Sequence, residues 1–191
     1  IFHTLYNAGI KYLVMEISSH SLSLNRVDDV DVDIAVFTNL TEEHLDFHGD
    51  INSYFESKLK LFTNLSSDKS AIINIDDPYS KKIIKQTKAK ILTYGFNKQA
   101  NIYPDKINMS LDGTQFYINY KKEKVKINTH LIGDFNISNI LASILICDTI
   151  GIKINKIADS INQFYSVPGR FESYKKEDGG VIIVDYAHTP D

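Results

Sequence analysis

Residues 12–15, 34–37, 71–75 and 91–94 are four short apolar runs with at most one polar residue each, separated by turn residues and helical patterns. A strand that is apolar on successive residues must be covered on both faces, the condition met in a parallel sheet with helices on either side. The expected class is therefore α/β, with a mostly parallel sheet flanked by helices. Residues 101–130 depart from that pattern. Runs 115–120 and 124–127 alternate in polarity about turn residues such as Asp112-Gly113, which predicts antiparallel hairpins forming a small β layer.

Helical stretches fill the rest. Residues 1–8 read as the end of a helix closed by Gly9, since glycine readily takes the left-handed conformation of a C-cap. Asp77-Pro78 has the form of an N-cap with proline at the first helical position, opening a polar helix to about Lys88. A long apolar helix is expected to about Ile150 and another over 155–164, with Ile157 and Ile161 inward; 166–169 reads as a linker and 181–184 as a further strand. The chain opens without methionine, part-way through an apolar pattern, so a fragment is expected: one domain plus a piece of another.

Charge narrows the function classes. With 21 Lys+Arg against 24 Asp+Glu the net charge is −3, and the lysines are scattered between acids, so no nucleic-acid surface is expected. No apolar run reaches the length of a membrane span, and no basic-then-apolar leader opens the chain. The single cysteine, Cys147, excludes an internal disulfide framework, and a cytoplasmic location fits best.

The chemistry concentrates in residues 37–62. Ser53 and Glu56 have the spacing of a capping box, which predicts a helix starting at Tyr54. On that helix Tyr54, Phe55, Leu59, Leu61, Phe62 and Leu65 share one apolar arc; Lys58 projects from its middle, and Lys60 points away from it. Lys58 is then either a snorkelling stem with a solvated head, an ion-pair partner, or a chemically altered group, because a buried unpaired ammonium is costly. Just upstream, His44, Asp46 and His48 alternate along an extended segment, while on a helix His44 and His48 would share a face. That triplet admits a zinc hydrolase, and the carboxylates of this stretch suit magnesium at least as well. Glu16 stands at the C-terminal end of the first apolar run, the sheet edge where ligands collect, so two strand ends are expected to bring Glu16 and His44 to one edge. Ser18 and Arg26 can bind a carboxylate or phosphate, or serve the turn. Asn136 and Asn139 read as cap residues, and Asp185 as a ribose partner or a turn cap.

Residues 37–49 (FTNLTEEHLDFHG) and 54–62 (YFESKLKLF) resemble the central domain of the Mur ligases, in the branch that adds the third residue to UDP-N-acetylmuramoyl-L-alanyl-D-glutamate. So do residues 15–26 (MEISSHSLSLNR), 131–139 (LIGDFNISN) and 185–190 (DYAHTP). The resemblance implies a P-loop-like central ATP-binding domain over 1–166, lacking the P-loop itself, and the start of a Rossmann-like C-terminal domain over 167–191. It implies a carbamylated Lys58, magnesium on Glu16, His44 and Lys58, and the muramyl dipeptide on Ser18 and Arg26. ATP would lie near Asn136, Asn139, Arg170 and Asp185. Glu43 stands where the family usually has aspartate, which keeps the charge, and Leu24 stands where some members have a polar substrate contact.

The activity so implied is ATP-dependent amide formation in peptidoglycan precursor synthesis, by a cytoplasmic monomer. Its cofactors would be ATP and Mg2+; its partners would be UDP-muramyl dipeptide and a diamino acid, diaminopimelate or lysine. The phosphate cradle Gly-x-x-x-x-Gly-Lys-Ser/Thr is absent from these residues, so the fragment alone is expected to be inactive. Rival readings are a folylpolyglutamate or cyanophycin synthetase of the same superfamily, a metal-dependent hydrolase using His44, Asp46 and His48, and a non-catalytic remnant.

Overall fold

The computed structural model describes residues 2–176 and 179–187. Helix α1 (Phe2–Asn7) ends as expected: Gly9, at φ +73°, donates to the Tyr6 carbonyl, and Ile10 donates to that of Leu5. Residues 12–15 do not form the predicted strand. They run unpaired into the short helix α2 (Ser19–Ser23), with Tyr12, Leu13, Val14 and Met15 all exposed. An apolar run states only that a segment can be covered on both faces; a strand also needs a hydrogen-bonding neighbour, and none of the described strands pairs with this segment.

The other three runs behave as read. Strands β1 (Ile34–Phe37), β2 (Ser70–Asn74) and β3 (Lys90–Tyr94) form a parallel sheet in that order, with Ile34 opposite Ser70 and Ser70 opposite Lys90. Between β1 and β2 come α3 (Leu45–His48) and α4 (Ile51–Thr63), and between β2 and β3 comes α5 (Ser80–Gln86). Helix α5 starts later than Asp77-Pro78 suggested. The Asp77 carboxylate instead accepts from the Tyr79 and Leu40 amides, forming a turn ahead of the helix and tying it to the segment after β1.

Period-2 alternation in the strands divides the interior into two cores. Ala35, Phe37, Ala71 and Ile73 face α4 and α5, meeting Tyr54, Phe55, Leu59, Phe62 and Ile83. Ile72 and Tyr94 face the other way, into a cluster with the antiparallel layer and two further helices. That layer is β4 (Pro104–Ser110), β5 (Gly113–Tyr120) and β6 (Glu123–Thr129), joined to the parallel sheet by a bridge from Tyr94 to Ile102. Phe116, Ile118 and Ile127 from this layer pack against Ile137, Leu141, Ile144 and Leu145 of α6 (Asp134–Thr149) and Ile157 of α7 (Ile154–Gln163).

Residues 166–169 lead into a tight turn in which Arg170 donates to the Val167 carbonyl. Strand β8 (Val181–Val184) was expected; its antiparallel partner β7 (Glu172–Lys175) was not, because residues 172–175 lack an apolar pattern. Of the 185–190 string, residues 188–190 lie outside the described residues. Among the described residues no helix is long and apolar enough to cross a membrane.

Candidate functional site

Helix α4 sets the position of Lys58, and it begins three residues earlier than the capping-box reading placed it. Asp50 is the N-cap: one carboxylate oxygen accepts from the Asn52 and Ser53 amides at 2.8 and 2.9 Å, and the other from the Ser53 hydroxyl at 2.9 Å. A charged carboxylate is the stronger acceptor, so Ser53 becomes a donor within the first turn. Gly49, at φ +81°, lets the chain reverse between α3 and α4, a conformation a side chain would oppose.

The apolar arc survives the earlier start. Tyr54, Phe55, Leu59 and Phe62 are buried, Lys60 is exposed, and Lys58 is half-buried with its Nζ 5.1 Å from the centre of the Tyr54 ring. Desolvation pushes the Lys58 ammonium below the ordinary lysine value, and the carboxylates of Glu43 and Glu16 act in the opposite sense. The same Glu43, after burial, raises the Tyr54 phenol.

His44 precedes α3 in a left-handed conformation, φ +58° and ψ +26°, and His48 donates its amide to the His44 carbonyl at 3.0 Å. The His44-to-His48 segment is thus helical rather than extended. Glu16 arrives from the unpaired segment rather than from a strand end, yet it reaches the electrostatic neighbourhood of Lys58. Among the described residues no group of three His, Cys, Asp or Glu side chains is gathered to hold a metal, so the triplet His44, Asp46 and His48 is not the ligand set the hydrolase reading requires.

Two residues that the sequence reading gave no separate role complete this neighbourhood. The His20 ring lies 4.8 Å from that of His44, 4.2 Å from Phe47 and 5.5 Å from His48. Ser19 is buried and bonds His48 Nε2 at 2.9 Å. Burial, then the charges of His20 and His44, push the His48 imidazole below its ordinary value, against the pull of Asp46. His20 was visible in the Ser-Ser-His string; its proximity to His44 depends on α2 meeting α4, which no local pattern encodes.

Ser18 caps α2, its hydroxyl accepting from the Ser21 amide at 3.2 Å, and Arg26 is exposed just beyond that helix. A second group lies at the start of α6. The Asn136 amide donates to the Ile132 carbonyl at 2.8 Å, and Asn139 is exposed one turn on. Phe135 meets Phe171 edge-on at 5.7 Å, which brings the neighbour of Arg170 to this helix end. Arg170 sits 5.6 Å from the Tyr186 ring centre, and the Asp185 carboxylate accepts from the Phe171 and Ala187 amides, the turn-capping role.

Fold and site together define an α/β middle domain with an appended antiparallel layer, the architecture of the Mur ligase middle domain, whose sequence profile matches residues 1–147. The chain belongs to the Mur ligase family. It is 42% identical over 191 residues to the UDP-N-acetylmuramoyl-L-alanyl-D-glutamate--2,6-diaminopimelate ligase of Caldanaerobacter subterraneus subsp. tengcongensis, a match covering all of this chain and 39% of the relative. The ligase of the same name from Geobacillus kaustophilus is 38% identical, with 100% of this chain and 40% of the relative covered. A solved structure of a UDP-N-acetylmuramoyl-L-alanyl-D-glutamate--2,6-diaminopimelate ligase superposes with a TM-score of 0.79 at 32% identity, covering 92% of this chain and 37% of that one. The MurF ligase of Thermotoga maritima in complex with ADP shares the fold, with a TM-score of 0.73 at 19% identity over 88% of this chain and 38% of that one. The chain spans about two fifths of the length of the curated relatives it matches.

Proposed function

We propose that this chain is the central part of an ATP-dependent ligase that joins the D-glutamyl carboxylate of UDP-N-acetylmuramoyl-L-alanyl-D-glutamate to an amine of diaminopimelate. The observation that carries the reading is Lys58, a half-buried lysine whose Nζ lies 5.1 Å from the centre of the Tyr54 ring, itself paired edge-on with His44. Burial disfavours its ammonium, while Glu43 and Glu16 favour it. The relatives are named as 2,6-diaminopimelate ligases, which supports diaminopimelate over lysine. ATP phosphorylates the carboxylate, giving ADP and an acyl phosphate. The amine then attacks the acyl carbon, the C–N bond forms as phosphate leaves, and the nitrogen loses a proton. Ser18 and Arg26 hold the muramyl dipeptide; Asn136, Asn139, Arg170 and Asp185 hold the nucleotide.

Glu16 offers a carboxylate, the donor type that suits magnesium, His44 adds an imidazole nitrogen, and a carbamate on Lys58 would add a second anionic oxygen to a set otherwise too small. Bound there, magnesium would offset the like charges of carboxylate and triphosphate. We assign 1–166 to the central domain and 167–191 to the start of the next, and propose a cytoplasmic monomer without nucleic-acid or membrane partners. The phosphate cradle is not among these residues, so the chain alone is proposed to be inactive. The test is the whole protein with ATP, the muramyl dipeptide and either diamino acid. Phosphate release with tripeptide product is expected. No ATP-dependent product with either amine, or zinc-dependent hydrolysis without nucleotide, overturns the reading.

A further inference from the structure

His48 bonds two elements that the proposed chemistry needs at a fixed separation. Its Nε2 lies 2.9 Å from the Ser19 hydroxyl on α2, and its Nδ1 lies 3.5 Å from the Ser57 hydroxyl on α4. Ser57 donates its only hydroxyl proton to the Ser53 carbonyl at 2.9 Å and accepts from Ser23 at 2.9 Å. The long contact to Nδ1 therefore takes its proton from the imidazole, and neutral His48 carries hydrogen on Nδ1. Nε2 is left as an acceptor, and the buried Ser19 hydroxyl is its donor. Ser19 directly follows Ser18, and Ser57 directly precedes Lys58. The ring of His48 is also packed, 5.2 Å from Tyr54 and 4.8 Å from Phe47, so its orientation is set by contact as well as by bonding.

We propose that His48 is a positioning residue that fixes the Ser18 turn, and with it the muramyl dipeptide, against the helix bearing Lys58. This rests on the ligase reading above. The physical reason for a side chain in this role is that α2 is a five-residue helix preceded by an unpaired segment, too short to be stable alone. Its place therefore depends on the buried Leu22 and on its ties to α4, the Ser23–Ser57 bond and the bridge through His48. Small displacements of a bound substrate cost rate steeply, up to about 100-fold for a misplacement of about 1 Å.

The experiment uses the whole enzyme and compares His48→Ala, His48→Gln, Ser19→Ala and the Ser19→Ala/His48→Ala double variant. Readouts are kcat, KM for each substrate, and calorimetric binding of the muramyl dipeptide. His48→Ala is expected to raise the dipeptide KM and lower kcat by about 10-fold each, within the range that misplacement produces, with the ATP KM unmoved. Ser19→Ala should act in the same direction, and the double variant should be no worse than the worse single, because the two share one bond. His48→Gln, whose amide can still meet Ser19, should recover part of the loss. Unchanged kinetics in all variants, equal losses for ATP and dipeptide, or additive losses in the double variant overturn the proposal. If His48→Ala does not fold, the glutamine and serine variants decide. Failure of the wild-type enzyme to bind the dipeptide or form product removes the ligase reading, and this inference with it; normal wild-type turnover with indifferent variants removes this inference alone.

Discussion

Tyr94, at the end of β3, reaches past the central strand and donates its phenolic hydrogen to the Phe37 carbonyl at the end of β1, 3.1 Å away. The residues that follow Phe37 are held in the same manner. The Asn74 amide donates to the Thr38 carbonyl at 2.7 Å, and the Asp77 carboxylate accepts from the Leu40 amide at 2.7 Å. Three side chains, from β3, from β2 and from the turn after β2, thus fix the backbone on its way from β1 to His44. This segment has no strand of its own to satisfy its polar groups, so the side chains do it.

Replacing Asp77 by alanine leaves the Leu40 amide without its acceptor, in a residue that is 8% exposed. A loss of about 1–3 kcal/mol in unfolding free energy is expected, against about 1 kcal/mol for Tyr94→Phe. Denaturant titration measures both. A loss at Asp77 no larger than that of an exposed substitution such as Lys60→Ala shows that the clamp does not hold the segment.

Asp50 gives helix α4 a pH dependence. The Ser53 amide, then the Ser53 hydroxyl, hold its carboxyl below the usual aspartate range, with the Asn52 amide acting in the same direction. A depressed folded-state pKa means that the unfolded chain binds the proton more readily. The contribution is therefore fully present above the unfolded value, about 3.9, and is lost as pH falls through the folded one. Asp50→Asn keeps a cap acceptor without the charge. Its thermal midpoint should approach that of the wild type as the pH is lowered through this window, whereas Asp50→Ala should remain less stable on both sides. A gap between wild type and Asp50→Asn that does not change with pH contradicts the charged cap.

What was legible in the sequence was local. The runs at 34–37, 71–75 and 91–94, the alternating hairpins and the inward Lys58 each follow from the periodicity of one segment, and each is found. The failures are pairings. Residues 12–15 have a strand's composition and no neighbour; residues 172–175 have a neighbour and no strand's composition. Ser53 could be weighed as a cap from its spacing, but only its competition with Asp50 decided the helix start. The bond between His48 and Ser19 joins residues 29 apart, and the spacing of His44, Asp46 and His48 pointed to a metal triplet instead.

Arg170 and Asp185 offer a test of the nucleotide assignment. They share a turn, since Asp185 accepts from the amide of Phe171, and Phe171 packs on Phe135 at the start of α6. Replacing either in the whole enzyme should raise the KM for ATP well beyond any change for the muramyl dipeptide. For Asp185, asparagine is the better probe, because it retains an acceptor for one of the two turn amides. Equal losses for both substrates, or none, assign these residues to the turn alone.

Lys58 carries the sharpest expectation. Carbamylation requires the neutral amine: its nitrogen attacks the carbon of carbon dioxide, the N–C bond forms, one proton leaves, and the product is an anion. Desolvation already shifts Lys58 toward the neutral form, while Glu16 and Glu43 pull the other way, so the half-buried position favours the reaction over a solvated head. In the whole enzyme Lys58→Ala should lower turnover by about 100-fold, the scale seen when one stabilising group is removed from a reacting centre. Acetate or formate, small enough for the vacated space, should restore part of it, and the same acids should do nothing for the wild type. Lys60→Ala, at the exposed position two residues on, should leave turnover unchanged. Near-normal turnover in Lys58→Ala, or equal sensitivity at the two lysines, reduces Lys58 to a packed stem beneath a solvated charge.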